Sequence, residues 1–221
     1  MPGPRFDLGA DALPAVIPIF PLTGVLLLPE GRLPLNIFEP RYLAMVSDAM
    51  AHPRLIGMVQ PLEGRGDVGE PPVYPIGCAG RIVSFSETDD GRYLINLVGV
   101  ARFAIKGERP LVKGYRTVEV DWSRFRGDFA ATGGSVIDRT RLMGALKPYF
   151  ERHAIACDWT AIAEAPADRL VTTLAMVCPF TAGEKQALLE AEDLAERTRL
   201  LTALIEMGTV AAPTERGGLR H

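Results

Sequence analysis

The sequence predicts an α+β chain, a curled antiparallel β lobe followed by an all-helical lobe. Three observations predict it. Short apolar runs bounded by turn residues recur from Ile17 to Trp122. Within the last of them, Val118, Val120 and Trp122 alternate with Thr117, Glu119 and Asp121, the period of a half-buried antiparallel strand. After the glycine-rich stretch Gly127–Gly134, apolar residues instead recur at the spacing of a helix face.

Residues 1–15 are rich in Pro, Gly and Ala without a period and read as a flexible leader, so the β lobe is set at 16–126. Ile17–Leu22 and Leu33–Phe38 read as strands, with prolines at their starts and turns, where a missing N–H does least harm. Between them lies Val25-Leu26-Leu27-Leu28, closed by Pro29-Glu30-Gly31. Glu39-Pro40 opens a helix over Arg41–Ala51, because proline fits the first helical turn. Tyr42, Met45, Val46 and Ala49 line its buried face, and His52-Pro53 ends it. Leu55–Gln60 reads as a buried strand, and Glu63–Pro72 as a loop. Gly80–Ser86 resumes strand character, with Val83 and Phe85 on one face. Asp90-Gly91 is a hairpin turn, since glycine takes positive φ at little cost. The return strand, Tyr93–Ile105, carries Gly99, which marks a bend or bulge.

The linker is set at 127–134 and the helical lobe at 135–208, leaving a tail at 209–221. Ser135 and Asp138 resemble an N-cap signature ahead of Met143, Leu146 and Phe150. Pro166-Ala167-Asp168 starts a second helix, and Thr181 with Glu184 forms a capping box for a third. A fourth runs from about Asp193 to Met207 and ends at Gly208.

The formal net charge of −3 lacks the basic excess usual in nucleic-acid binders. Cys78, Cys157 and Cys178 form no C-x-x-C pair, and their odd number suits a reducing compartment. No apolar run approaches a membrane span and no signal-peptide core follows Met1, so a cytoplasmic chain is expected.

The stretch I-P-I-F-P-L-T-G-V-L-L-L-P-E-G-R-L-P-L-N-I-F-E-P-R-Y, from Ile17 to Tyr42, resembles the N-terminal substrate-binding domain of Lon proteases, and in particular stand-alone bacterial proteins carrying that domain alone. Ile56–Gln60 and Pro75–Ile82 agree in order and spacing. Asp90–Phe103 resembles the family's dGxyxixlxGxxRf signature, and the likeness runs from about Ile17 to Glu206. The resemblance implies a PUA-like antiparallel pseudo-β-barrel lobe followed by an all-helical bundle lobe. It also implies the recognition part of Lon alone. No G-x-x-x-x-G-K-[ST] loop is present for ATP, and the serine–lysine protease domain is not in this sequence.

No catalytic residue, metal ligand set or cofactor is expected. No G-x-S-x-G elbow occurs, and His153 with Cys157 supplies two ligands where a metal site needs three or four. Two surface readings remain. Exposed apolar side chains bind unfolded segments without demanding sequence, because burial of apolar area is non-directional. Leu22, Val25, Leu26, Leu27 and Leu28 are the first such candidates, since a strand through the leucines would point at least one outward, although one more buried strand of the barrel is the simpler reading of Val25–Leu28. Ile37, Phe38, Arg41 and Tyr42 are the second group. Local pairing of Glu39 with Arg41 at the helix start is the simpler role for that arginine. The partner on this reading is an unfolded or partly unfolded polypeptide, or a folded protein. The alternative is RNA, through Trp122-Ser123-Arg124-Phe125-Arg126, where aromatics could stack bases and arginines hold phosphates.

Overall fold

The computed structural model describes residues 13–51, 53–62, 71–129 and 137–210. Six strands make one sheet: β1 (Val16–Pro21), β2 (Arg32–Ile37), β3 (Leu55–Val59), β4 (Ile76–Glu87), β5 (Tyr93–Val112) and β6 (Tyr115–Asp121). Their order is β2-β5-β4-β3-β1-β6, and a further β5–β6 pairing closes the ring. Every pairing is antiparallel except β1 with β3. The long β5 makes the closure possible. Its first half pairs with β2 through Arg32↔Val98 to Ile37↔Tyr93, and its second half pairs with β6 from Ala104↔Asp121 onward. The sequence suggested that β5 stops at Ile105. The extra residues Lys106–Val112 are solvent-facing, so they leave no burial period to read.

Gly99 lies beside a register shift, where Ala79 pairs with Ala101 but Gly80 pairs with Gly99, leaving Val100 as the extra residue. That β-bulge bends β5 as the curled sheet requires. Inside the ring, Ile17, Ile19, Leu55, Phe103, Val118, Val120 and Trp122 form one apolar cluster. The opposite faces of the strands join a larger cluster that continues into the helices.

Helix α1 (Pro40–Ala51) buries Tyr42, Met45, Val46 and Ala49, as the spacing predicts; His52 and residues 63–70 lie outside the described residues. A 3-10 turn, Ser123–Phe129, follows β6, so Gly127 to Phe129 of the expected linker lie in that turn, and 130–136, with Ser135, lie outside the described residues. The helical part comprises α2 (Arg139–Arg152), α3 (Trp159–Glu164), α4 (Ala167–Val177), α5 (Ala182–Glu190) and α6 (Leu194–Val210). Asp138 caps α2, accepting from the Arg141 N–H at 3.0 Å. The short α3 has no apolar stripe of its own and goes unseen in the sequence; Asp158 holds its first turn by accepting from Thr160 and Ala161. Thr181 and Glu184 form the expected capping box of α5.

Gly208 does not end α6, which continues to Val210. A Cβ at Gly208 would lie 2.7 Å from the Tyr149 ring, so this glycine lets α2 and α6 approach closely.

Candidate binding surface

The structure separates the nine candidate residues. Leu26, Leu27 and Leu28 are all core, Leu27 retaining 1% exposure. No outward lip forms; the three leucines are buried, as on the simpler reading, but Val25–Leu28 is not a strand. It is an irregular segment laid between the sheet and the helices. A Cβ at Gly80 would sit 2.7 Å from Leu27 Cδ2, and one at Gly99 would sit 2.0 Å from the Leu28 carbonyl oxygen. These two glycines open the trough in which the leucines lie. On the far side, Gly31 packs against Met176 of α4. Leu22 and Val25 are half-buried against the same core.

Ile37 and Tyr42 are also buried; the Tyr42 ring lies 4.3 Å from that of Phe20. Arg41 pairs with Glu39 at 3.0 Å and lies 4.6 Å over the Tyr42 ring, the local role expected for it. Phe38 alone of the nine points into solvent, 62% exposed. It stands at the end of β2, across from the Arg92 guanidinium at 5.9 Å. Leu94 on β5 is 45% exposed on the same face; Val83 and Phe85 of β4 are also exposed, Phe85 on the opposite face, where it pairs with Ile95 and lies 4.9 Å from Tyr93. The hairpin and β2 therefore carry apolar side chains past the edge of the core. Two of these residues, Val83 and Phe85, are the exposed pair that the strand reading placed together; Leu94 was hidden inside a long apolar strand.

The aromatic–arginine stretch turns inward. The Trp122 indole donates to the Pro14 carbonyl at 3.0 Å, and Phe125 is buried beneath the Arg102 guanidinium at 4.2 Å. Both rings are buried, so neither offers a free face for stacking.

Arg102, the arginine of the Asp90–Phe103 signature, is the main polar tie between sheet and helices. Its side chain and that of Asp128 are 4% and 7% exposed and pair at 2.7 Å. The same guanidinium donates to the carbonyls of Leu189, at 3.0 Å, of Ala191, and of Glu192, at 3.2 Å. Arg197 adds a bond to the Leu188 carbonyl at 2.9 Å. The C-terminal carbonyls of α5, which no helical N–H can reach, are thus satisfied by two arginines from other elements. Burial and the nearby Arg102 charge pull Arg197 down to about 10. Lys185 of α5 donates to the carbonyls of Gly24 and Met176, and burial lowers its pKa. Gln60 donates to the Ala182 carbonyl at 2.9 Å.

The buried thiols are not activated. Burial raises Cys178 to about 12 and pushes Cys78 higher still. His153 stacks on Tyr149 at 4.3 Å, and Cys157 packs against the large core cluster. Among the described residues no group of three or more His, Cys, Asp or Glu is placed to hold a metal ion, and no helix is long and apolar enough to cross a membrane.

Residues 16–207 match the family model of the ATP-dependent protease La (LON) substrate-binding domain. The chain belongs to this family. It is 28% identical over 198 residues to Lon protease 2 of Sorangium cellulosum, covering 86% of this chain and 24% of the relative. Lon protease 2 of Myxococcus xanthus is 29% identical over 203 residues, covering 90% and 24%. The chain thus spans about a quarter of the length of these Lon proteases, which fits a Lon substrate-binding domain. The crystal structure of a Lon N-terminal domain protein from Xanthomonas campestris superposes with a TM-score of 0.61 at 26% identity, covering 85% of this chain and 97% of that one. The N-terminal domain of Mycobacterium avium complex Lon protease shares the fold at 17% identity, with a TM-score of 0.56 and coverage of 86% and 97%. The α+β architecture, a mostly antiparallel six-stranded sheet followed by helices, is that of Lon N-terminal domains.

Proposed function

We propose that this chain binds exposed segments of unfolded or partly unfolded polypeptide and does not chemically alter them. The observation that carries the reading is the uncovered apolar surface at β2 and the β4–β5 hairpin, centred on Phe38 and Leu94. Membership of a substrate-binding family supports it. Apolar burial supplies affinity without sequence preference, as a binder of many unfolded chains needs. Strand β2 ends the sheet order and pairs with β5 alone, so it offers an edge along which an extended segment adds main-chain hydrogen bonds.

Capture of an immobilised model protein, reduced and alkylated so that it stays unfolded, tests the reading against capture of its native form. Phe38→Asp is expected to lower capture of the unfolded form about tenfold, the order expected for losing an aromatic anchor. Equal capture of native and unfolded forms, or an unchanged yield with Phe38→Asp at equal stability, would refute it.

A further inference from the structure

One face of the β2–β5–β4 surface is charge-polarised. The face opposite Ile37, Ile95 and Leu97 is solvent-exposed, and strand register orders its side chains in rows. Arg32 of β2, Val98 of β5 and Arg81 of β4 stand side by side in the first row. Arg54 lies next to this row: it precedes Leu55, the register partner of Arg81, and its carbonyl accepts from the Ile82 N–H at 2.9 Å. Among the described residues neither Arg32 nor Arg54 has an ion-pair partner. The next row holds Asn96, bonded to Ser84 at 2.7 Å. Beyond it come Leu94 and then Phe38 beside Arg92. The carboxylates stand at the margins: Glu30 before β2, and the hairpin turn with Asp89 and Asp90, the latter 2.8 Å from Arg92. The unpaired positive charge of Arg32 and Arg54 therefore stands at one end of this face and the apolar side chains of Leu94 and Phe38 at the other, with Asn96 and Ser84 between.

We propose that this face holds an extended polypeptide segment bearing an apolar side chain on Leu94 and Phe38 and a carboxylate, from Asp, Glu or a chain terminus, at the exposed Arg32 and Arg54. The inference rests on the proposed function and gives its preferred segments a chemistry. Leu94 and Val98 are four residues apart on β5, a rise of about 13 Å. In an extended segment, residues four apart also share a face. The apolar anchor and the carboxylate are thus matched at a spacing of four and mismatched at three, which turns the acid to the opposite face. A polypeptide fits better than single-stranded nucleic acid, because Phe38 is the one exposed aromatic ring on this face among the described residues, and base stacking uses a ring for each base held.

Fluorescence anisotropy with labelled decapeptides tests this. One peptide carries Phe with Asp four residues on; the others carry Lys at that position, or Asp at three residues on. The first is expected to bind about tenfold tighter than the Lys peptide at low salt, and the gap should close at high salt. Arg32→Glu combined with Arg54→Glu should reverse the order, with an unchanged melting temperature, because both side chains are exposed. Equal affinity for the three peptides, or no response to the arginine changes, would overturn the proposal while leaving capture of unfolded protein intact. Loss of that capture as well would overturn the proposed function itself. Tighter, arginine-dependent binding of a labelled oligouridylate would overturn the polypeptide assignment.

Discussion

Truncating Arg102 should destabilise the whole molecule, and the size of the effect follows from what its guanidinium touches. It pairs with an Asp128 side chain that is 7% exposed and bonds the backbone carbonyls of Leu189, Ala191 and Glu192. Arg102→Met keeps much of the aliphatic stem and removes the charge and all donors. Asp128 is then left as a buried carboxylate without its cation, a loss worth about 3–5 kcal/mol. Arg102→Lys restores the charge but not the planar fork that reaches carboxylate and carbonyls together, so about 2 kcal/mol is expected. Asp128→Leu on the Arg102→Met background removes the orphaned charge and should recover at least about 2 kcal/mol relative to additivity. Urea unfolding followed by far-ultraviolet circular dichroism, with unchanged m-values, gives these differences. Costs below about 1 kcal/mol for both single variants would refute the assignment of this cluster as the tie between sheet and helices.

Three further outcomes are expected. Gly99→Ala places a Cβ 2.0 Å from the Leu28 carbonyl oxygen, so the leucine segment must move; thermal unfolding should show a loss of about 3 kcal/mol. Bonds from Lys113 and Tyr115 hold the Asp48 carboxyl below its ordinary value of 3.8. Its folded pKa is depressed, so its contribution is present above that value and lost as the pH falls below it; Asp48→Asn should flatten the acid arm of a stability–pH curve there. With the folded protein at pH 8, Cys157 should react with a thiol reagent well before Cys78 and Cys178, whose thiols are buried and shifted upward; equal rates under native conditions would contradict the described packing.

Most of the architecture was legible because local patterns agreed with it. The alternation of Tyr115–Asp121, the Asp90-Gly91 turn, the apolar face of α1 and the Thr181–Glu184 box each report a neighbourhood set within a few residues. The leucine triplet was not legible. Three leucines read alike whether a strand exposes one or a trough buries all, and the trough is made by Gly80 and Gly99, far along the chain. Trp122 and Phe125 look like a surface patch beside Arg124 and Arg126, yet both rings are buried and the nearer charge over Phe125, at 4.2 Å against 5.2 Å for Arg124, comes from Arg102 on β5. Phe38 was visible as a candidate within the apolar stretch Ile37–Tyr42, but so was the buried Ile37. Its partners Leu94, Arg32 and Arg81 were not, because register across three strands brings them onto one face.

Amide hydrogen exchange in the presence and absence of a reduced, alkylated model protein locates binding without any substitution. Slower exchange confined to β2, residues 32–38, and to the facing part of β5, residues 92–98, is the predicted result. Protection restricted to α2–α6, or none at saturating unfolded protein, would contradict the claim that the sheet surface around Phe38 is where this chain takes hold of its partner.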